Sequence, residues 1–121
     1  MNTTMNATPR IAVSKATQIL SIFMGLGSKV LMGEAYSLLL IASGETQEGG
    51  GITITELASK SGVALSTASR TVDALTNDGK RSGGAGYALI TSTRDPMDDR
   101  RKILRLTAKG RRTIETISHL L

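Results

Sequence analysis

The stretch from Thr53 to Leu75, TITELASKSGVALSTASRTVDAL, limits the fold more than any other part of the chain. Thr53 and Glu56 have the spacing of a capping box. The threonine oxygen accepts one orphan N–H of a helix start, and the glutamate reaches back for another. The helix so begun runs through Leu57 and Ala58 to Ser61, and Gly62 suits the left-handed position that ends a helix. A second helix is expected from Leu65 to Asp78, closed by Gly79, with Leu65, Ala68, Val72 and Leu75 at spacings of 3, 4 and 3 on its apolar face. Two helices joined by a tight glycine turn form a helix-turn-helix candidate. The face opposite the core carries Ser66, Thr67, Ser69, Arg70 and Thr71, which are short hydrogen-bonding side chains and one arginine, suited to base edges and phosphates. A helix pair with an ordinary solvated face would show the same pattern.

The flanking segments supply the rest of a domain. Pro9 can open a helix, and Ile11, Val13, Ile19, Ile22, Phe23, Leu26, Val30 and Leu31 read as helix over Arg10 to Leu31, weakened by Gly25 and Gly27. Glu34 to Ser43 reads as a short buried helix, and Gly44 to Gly51 as a flexible loop. KRSGGAGY, Lys80 to Tyr87, has the glycine content of a mobile loop. Ala88–Thr93 and Lys102–Leu106 read as strands, with Ile103 and Arg105 on one face and Leu104 and Leu106 on the other. Between them Asp95-Pro96 signals a turn inside RDPMDDRRK, where four bases and three acids share nine residues, so the whole reads as a charged β-hairpin. Thr107 can cap a last helix over Ala108 to Leu121, with Ile114, Ile117, Leu120 and Leu121 on its apolar side.

Charge distribution bears on partners. Residues 1 to 51 hold three bases and three acids, whereas residues 52 to 112 hold twelve bases and six acids. A basic middle on a neutral start is the footprint of a nucleic-acid binder, although a basic solvated surface would look alike. With only Phe23, Tyr36 and Tyr87 aromatic, the chain lacks the stacking platform of single-strand binders, so a duplex is the expected nucleic acid. The 121 residues contain no cysteine and one histidine, His119, which leaves no thiolate or zinc-cluster chemistry and no metal or cofactor expected. No apolar run is long enough for a membrane span. The polar N-terminus has no signal-peptide core, so the cytoplasm is the expected location. No His-paired nucleophile, phosphate loop or metal cluster is in view, which argues against an enzyme. Four neighbouring bases argue against a cation site at Asp95, Asp98 and Asp99.

Helix-turn-helix, charged hairpin and final helix follow one another in the order of a winged helix-turn-helix, a mainly α fold with a small β-hairpin wing. Thr55 to Leu75, then DPMDDR (Asp95 to Arg100), then LTAKG (Leu106 to Gly110) resemble the MarR family of bacterial winged-helix transcription regulators, whose wing motif Asp-Pro-x-Asp-x-Arg precedes Leu-Thr-x-x-Gly at the distance kept here. The resemblance implies a sequence-specific regulator of transcription, a repressor, bound to double-stranded DNA. It implies the second helix in the major groove, with Ser66, Thr67, Ser69 and Arg70 at bases and phosphates, Arg100 at the adjacent minor groove and Asp98 steadying the wing. Lys80, Arg81, Arg101, Lys102 and Lys109 are expected at phosphates. It further implies homodimers on palindromic operators and, in many members, a small-molecule effector. On this reading residues 1–8 are a disordered tail and 9–121 one winged-helix domain, with 9–31 and 108–121 as dimerisation helices and 52–107 as helix-turn-helix plus wing.

Three departures from the family pattern stand out. Ser92 occupies the place of a usual wing arginine, and the basic insertion 80–87 either substitutes for it or is a tolerated loop. Ala64 stands where a capping serine is common, so Ser66 or Thr67 would have to take over the cap. Leu121 ends the chain where members usually continue with long dimerisation helices. These departures leave an alternative in view: a winged helix used for protein interaction, or in assembling a replication or phage complex.

Overall fold

A computed structural model describes residues 7–26, 30–46, 50–76, 87–95 and 97–121, without the side chains of residues 7, 8, 46, 99 and 100. The elements run α1 (Ala7–Leu26), α2 (Met32–Thr46), β1 (Ile52–Thr53), α3 (Ile54–Ser61), α4 (Leu65–Leu75), β2 (Ile90–Asp95), β3 (Asp98–Leu106) and α5 (Ala108–Ser118). The strands form one antiparallel sheet of order β1-β3-β2. Among the described residues, five helices and this three-stranded sheet give the mainly α winged helix expected from the sequence.

The single helix expected over Arg10 to Leu31 is shorter and starts earlier. Ala7 and Thr8 are already helical, which trims the expected tail to residues outside the description. Pro9 is then the third helical residue, where the N–H it lacks would have no intrahelical partner anyway. Of the apolar positions in this segment Phe23 is buried, Ile19, Ile22, Leu26 and Val30 are half-buried, and Ile11, Val13 and Leu31 are exposed.

Helix α2 is the centre of the core. Leu38 and Ile41 are completely buried, and the helix packs on α3, α4, β1 and β3. Its start is held by Glu34, whose Oε1 accepts the Leu31 N–H at 2.9 Å. Its end runs to Thr46, so Gly44 and Glu45 belong to helix and not to the loop the glycines suggested. Glu45 explains the extension. Its Oε2 accepts the Leu106 N–H at 3.1 Å, and its Oε1 pairs with Arg111 at 3.5 Å, which ties α2 to β3 and α5.

The capping box forms as expected. Glu56 N donates to Thr53 Oγ1 at 3.2 Å, and Glu56 Oε1 accepts from Thr53 N at 3.1 Å. Thr53 is also the second residue of β1 and pairs with Ile103, a strand that no period could reveal in two residues. Gly62 closes α3 at φ 74°, ψ 26°, the left-handed conformation, with its N–H on Ala58 O. Helix α4 ends at Leu75, short of the expected Asp78, which lies with Gly79 outside the description. The chain leaves α4 at Thr76, which bridges Ile90 in parallel.

The segment entering β2 is pinned from several sides. Tyr87 N donates to Ala74 O at 3.0 Å, and Leu89 N donates to Leu75 O at 2.9 Å. The Tyr87 hydroxyl hydrogen-bonds Glu34; burial first, then that carboxylate's charge, raise the phenol's pKa. Thr107 caps α5 by accepting the Gly110 N–H at 3.1 Å while its hydroxyl donates to Ala88 O at 2.6 Å. Both strands outgrow or shift from their expected ranges, β2 starting at Ile90 because Ala88 takes φ 59°. Helix α5 regularly spans only to Ser118, with Ile117 buried and Leu121 exposed.

Two outcomes follow from these contacts. A Cβ on Gly110 would stand 2.1 Å from the Leu89 carbonyl oxygen, a backbone atom fixed by its bond to Thr107 N. Gly110→Ala is therefore expected to destabilise by roughly 1–3 kcal/mol despite alanine's better helix propensity; urea unfolding at equal or higher stability would contradict the contact. The second concerns acid. The Thr53 backbone hydrogen bond, opposed by desolvation and aided by the Thr53 hydroxyl, Arg101 and Lys60, holds the Glu56 carboxyl below its ordinary pKa. A depressed carboxyl contributes stability that is full above the unfolded-state value and is lost as pH falls through the folded value. Glu56→Gln should accordingly lose less stability than the parent chain between pH 6 and about pH 3, read as the difference between two urea series.

Candidate nucleic-acid interface

Helix α4 presents the polar face that its sequence spacing implied. Ser66, Thr67 and Arg70 are exposed, and Ser69 and Thr71 are half-buried. The opposite side is buried at Ala68, Ala74 and Leu75. Leu65, expected on that apolar side, is 53% exposed. Side chains of a helix lean toward its N-terminus, which carries a first-position side chain away from the body of its own helix. Ala64 is the N-cap and makes no side-chain cap, and neither Ser66 nor Thr67 displaces it. The amide groups of the first turn are thus not satisfied by an N-cap side chain.

The wing is a hairpin with a step in its register. Arg94 pairs with Lys102, but Asp95 pairs with Asp98. Asp99, Arg100 and Arg101 therefore occupy extra length of β3 that β2 does not match. Such a bulge breaks the alternation of faces and re-aims side chains. The turn itself is closed by Asp95, whose Oδ1 accepts the Met97 N–H at 2.9 Å, and Met97 at the tip is 92% exposed. The side chain of Arg100 lies outside the description, as do Lys80 and Arg81 entirely. Asp98 is half-buried opposite Asp95.

Arg101 is engaged within the protein. Its Nη2 lies 3.4 Å from Glu56 Oε1, and its Nη1 lies 3.9 Å from Asp95 Oδ2. No local pattern signals this partnership, since Glu56 and Arg101 are 45 positions apart and Glu56 is legible only as a helix cap. Lys102 is exposed, whereas Lys109 Nζ donates to Tyr87 O at 2.9 Å. Ser92, in the place of the expected arginine, is exposed opposite Leu104.

Between the wing and the helices lies a groove of about 910 Å³. Its apolar lining includes Val72, Ile90 and Leu104, and its charged lining is Glu56, Asp73, Arg101 and Lys102. No group of three or more metal-ligating side chains occurs among the described residues, and no described helix is long and apolar enough to cross a membrane.

The comparisons with known proteins point one way. Residues 44–80 match the family described as winged helix-turn-helix DNA-binding. No curated protein matches the chain. Among solved structures, the chain is similar to S. aureus MepR in a MepR–DNA complex, at 20% identity over 93% of this chain and 77% of that one, with a TM-score of 0.60. It is similar to CouR from Rhodococcus jostii RHA1 bound to p-coumaroyl-CoA, at 20% identity over 93% and 68%, with a TM-score of 0.58. It is also similar to Bordetella bronchiseptica BpsR, whose DNA binding is regulated by 6-hydroxynicotinic acid, at 15% identity over 99% and 76%, with a TM-score of 0.53. The chain has the winged helix-turn-helix fold.

Proposed function

We propose that the protein is a double-stranded DNA-binding transcription regulator, a repressor, that reads its operator with α4 and a flanking minor groove with the wing. The observation that carries this reading is the outer face of α4. Ser66, Thr67 and Arg70 stand exposed on the second helix of a helix-turn-helix whose other side is buried in the core. An arginine can address guanine or phosphate, and hydroxyls can address either, so the face suits a major groove. Ser69, half-buried on the same helix, is placed at its edge. Arg100 lies on the bulged β3 next to the tip, where a minor-groove arginine would gain from the enhanced negative potential of a narrow groove. Lys80, Arg81 and Lys102 are assigned to phosphates, and Asp98 to steadying the wing.

A homodimer completes the proposal. Ile11, Val13, Leu20 and Met24 on α1 and Met32, Tyr36 and Leu39 on α2 are all exposed. Exposed apolar side chains in that number call for a partner, and a second copy would place two α4 helices on two half-sites. A small-molecule effector is proposed by likeness to CouR and BpsR alone. A winged helix working only in protein assembly would not need the arginine and hydroxyls of α4.

Selection of bound duplexes from a random library tests the reading, with a palindromic consensus as the expected result. Affinity should fall steeply with salt, by a log–log slope of about −0.9 per neutralised phosphate. Arg70→Ala should weaken binding to the selected sequence more than to random duplex, by roughly 1–3 kcal/mol; equal losses on both would remove α4 as the reader. Arg100→Ala should cost more on duplexes with A·T-rich flanks than on G·C-rich ones, and a mobility-shift series showing no dependence on the flanks would take the wing off the minor groove.

A further inference from the structure

We infer that Glu56 is a positioning residue for the wing, acting through Arg101, and that Arg101 is an internal strut of the protein and not a phosphate contact. This role presupposes that the wing meets a duplex, but the strut itself is a property of the free chain.

Three observations meet at this pair. Glu56 is held in place before Arg101 arrives, because its Oε1 already accepts Thr53 N and Thr53 Oγ1, both at 3.1 Å. A carboxylate fixed by a capping box loses little further freedom when a guanidinium docks on it, which removes part of the entropy that makes exposed ion pairs weak. Arg101 in turn sits between two carboxylates from different parts of the fold, Glu56 on α3 and Asp95 at the end of β2. Pulling it onto a phosphate would leave both acids unneutralised beside a polyanion, a like-charge arrangement that opposes binding. Finally, Arg101 lies on the stretch of β3 that β2 does not match, where strand pairing does not dictate the direction of the side chain.

The mechanical consequence follows from the sheet. β1 ties the wing to the helix-turn-helix at Ile103 and Leu104. The Glu56–Arg101 pair extends that tie two residues toward the tip, from the first turn of α3. The angle between wing and α4 decides whether both reach one duplex in register, so a residue that never touches DNA would govern how the two contacts combine.

The absence of cysteine allows a clean test in the full chain. Ser59→Cys on exposed α3 and Met97→Cys at the wing tip take a pair of spin labels, and pulsed electron–electron resonance without DNA reads the distance distribution. Glu56→Gln retains the acceptor oxygen for Thr53 and should stay folded at neutral pH, less stable than the parent only by the lost charge, yet it should broaden that distribution. Arg101→Met should broaden it equally, the double variant no further, and Arg101→Lys should restore it. An unchanged distribution in Glu56→Gln would overturn the strut. On the selected duplex, Glu56→Gln and Arg101→Met should each weaken binding about two- to fivefold with an unchanged salt slope. A slope reduced by about 0.9 in Arg101→Met would make Arg101 a phosphate contact, and tighter binding by Glu56→Gln would make Glu56 a competitor for it; either overturns the inference. A parent chain that binds no duplex would sink the regulatory reading, while the spin-label distances would still decide the strut.

Discussion

Thr53 belongs to two elements at once. As the second residue of β1 it pairs with Ile103 of the wing, and as the N-cap of α3 it holds the first turn of the helix-turn-helix. Sheet and helices therefore share a residue and cannot move independently at that point. The side chain that completes the cap, Glu56, also faces Arg101. A single capping box, which in isolation would only start a helix, thus sets the relation between the two parts of the molecule that a nucleic acid would have to meet together.

The charged hairpin that stood out in the sequence resolves into distinct roles. Asp95 closes the turn through the Met97 amide and also lies near Arg101. Arg101, still half exposed, pairs with Glu56 on α3. Lys102 stays exposed opposite Arg94. The register step makes this division possible, because residues relieved of regular pairing can point where the alternating pattern would not send them. Four bases in a row of charge are therefore not four equivalent contacts.

Much of this architecture was legible in the residues because the signals were local. The capping box, Gly62, the Asp95-Pro96 turn and the Thr107 cap each act over a few positions, and each but the turn's proline, which lies outside the description, is found as read. Local rules failed where tertiary contact decides. β1 is too short for any period. Leu65 fits the apolar spacing but stands exposed at the first position of α4. Gly44 and Glu45 looked like loop until β3 and α5 supplied partners for the glutamate. The site divides in the same way. The exposed face of α4 follows from helical spacing alone, whereas the engagement of Arg101 depends on a bulge and on a residue 45 positions away.

The pinned entry to β2 has a further consequence. Ala74, Leu75 and Thr76 at the end of α4 hydrogen-bond directly to Tyr87, Leu89 and Ala88, so the chain returns almost to the point it left. Whatever lies between departs and arrives at the same two posts. The entropy of closing such an excursion grows only with the logarithm of its length, about 0.6 kcal/mol for each doubling. Residues can therefore be gained or lost there without shifting α4 against the wing. That makes this point of the chain a place where relatives can differ in length and charge while the arrangement of α4 and wing stays the same.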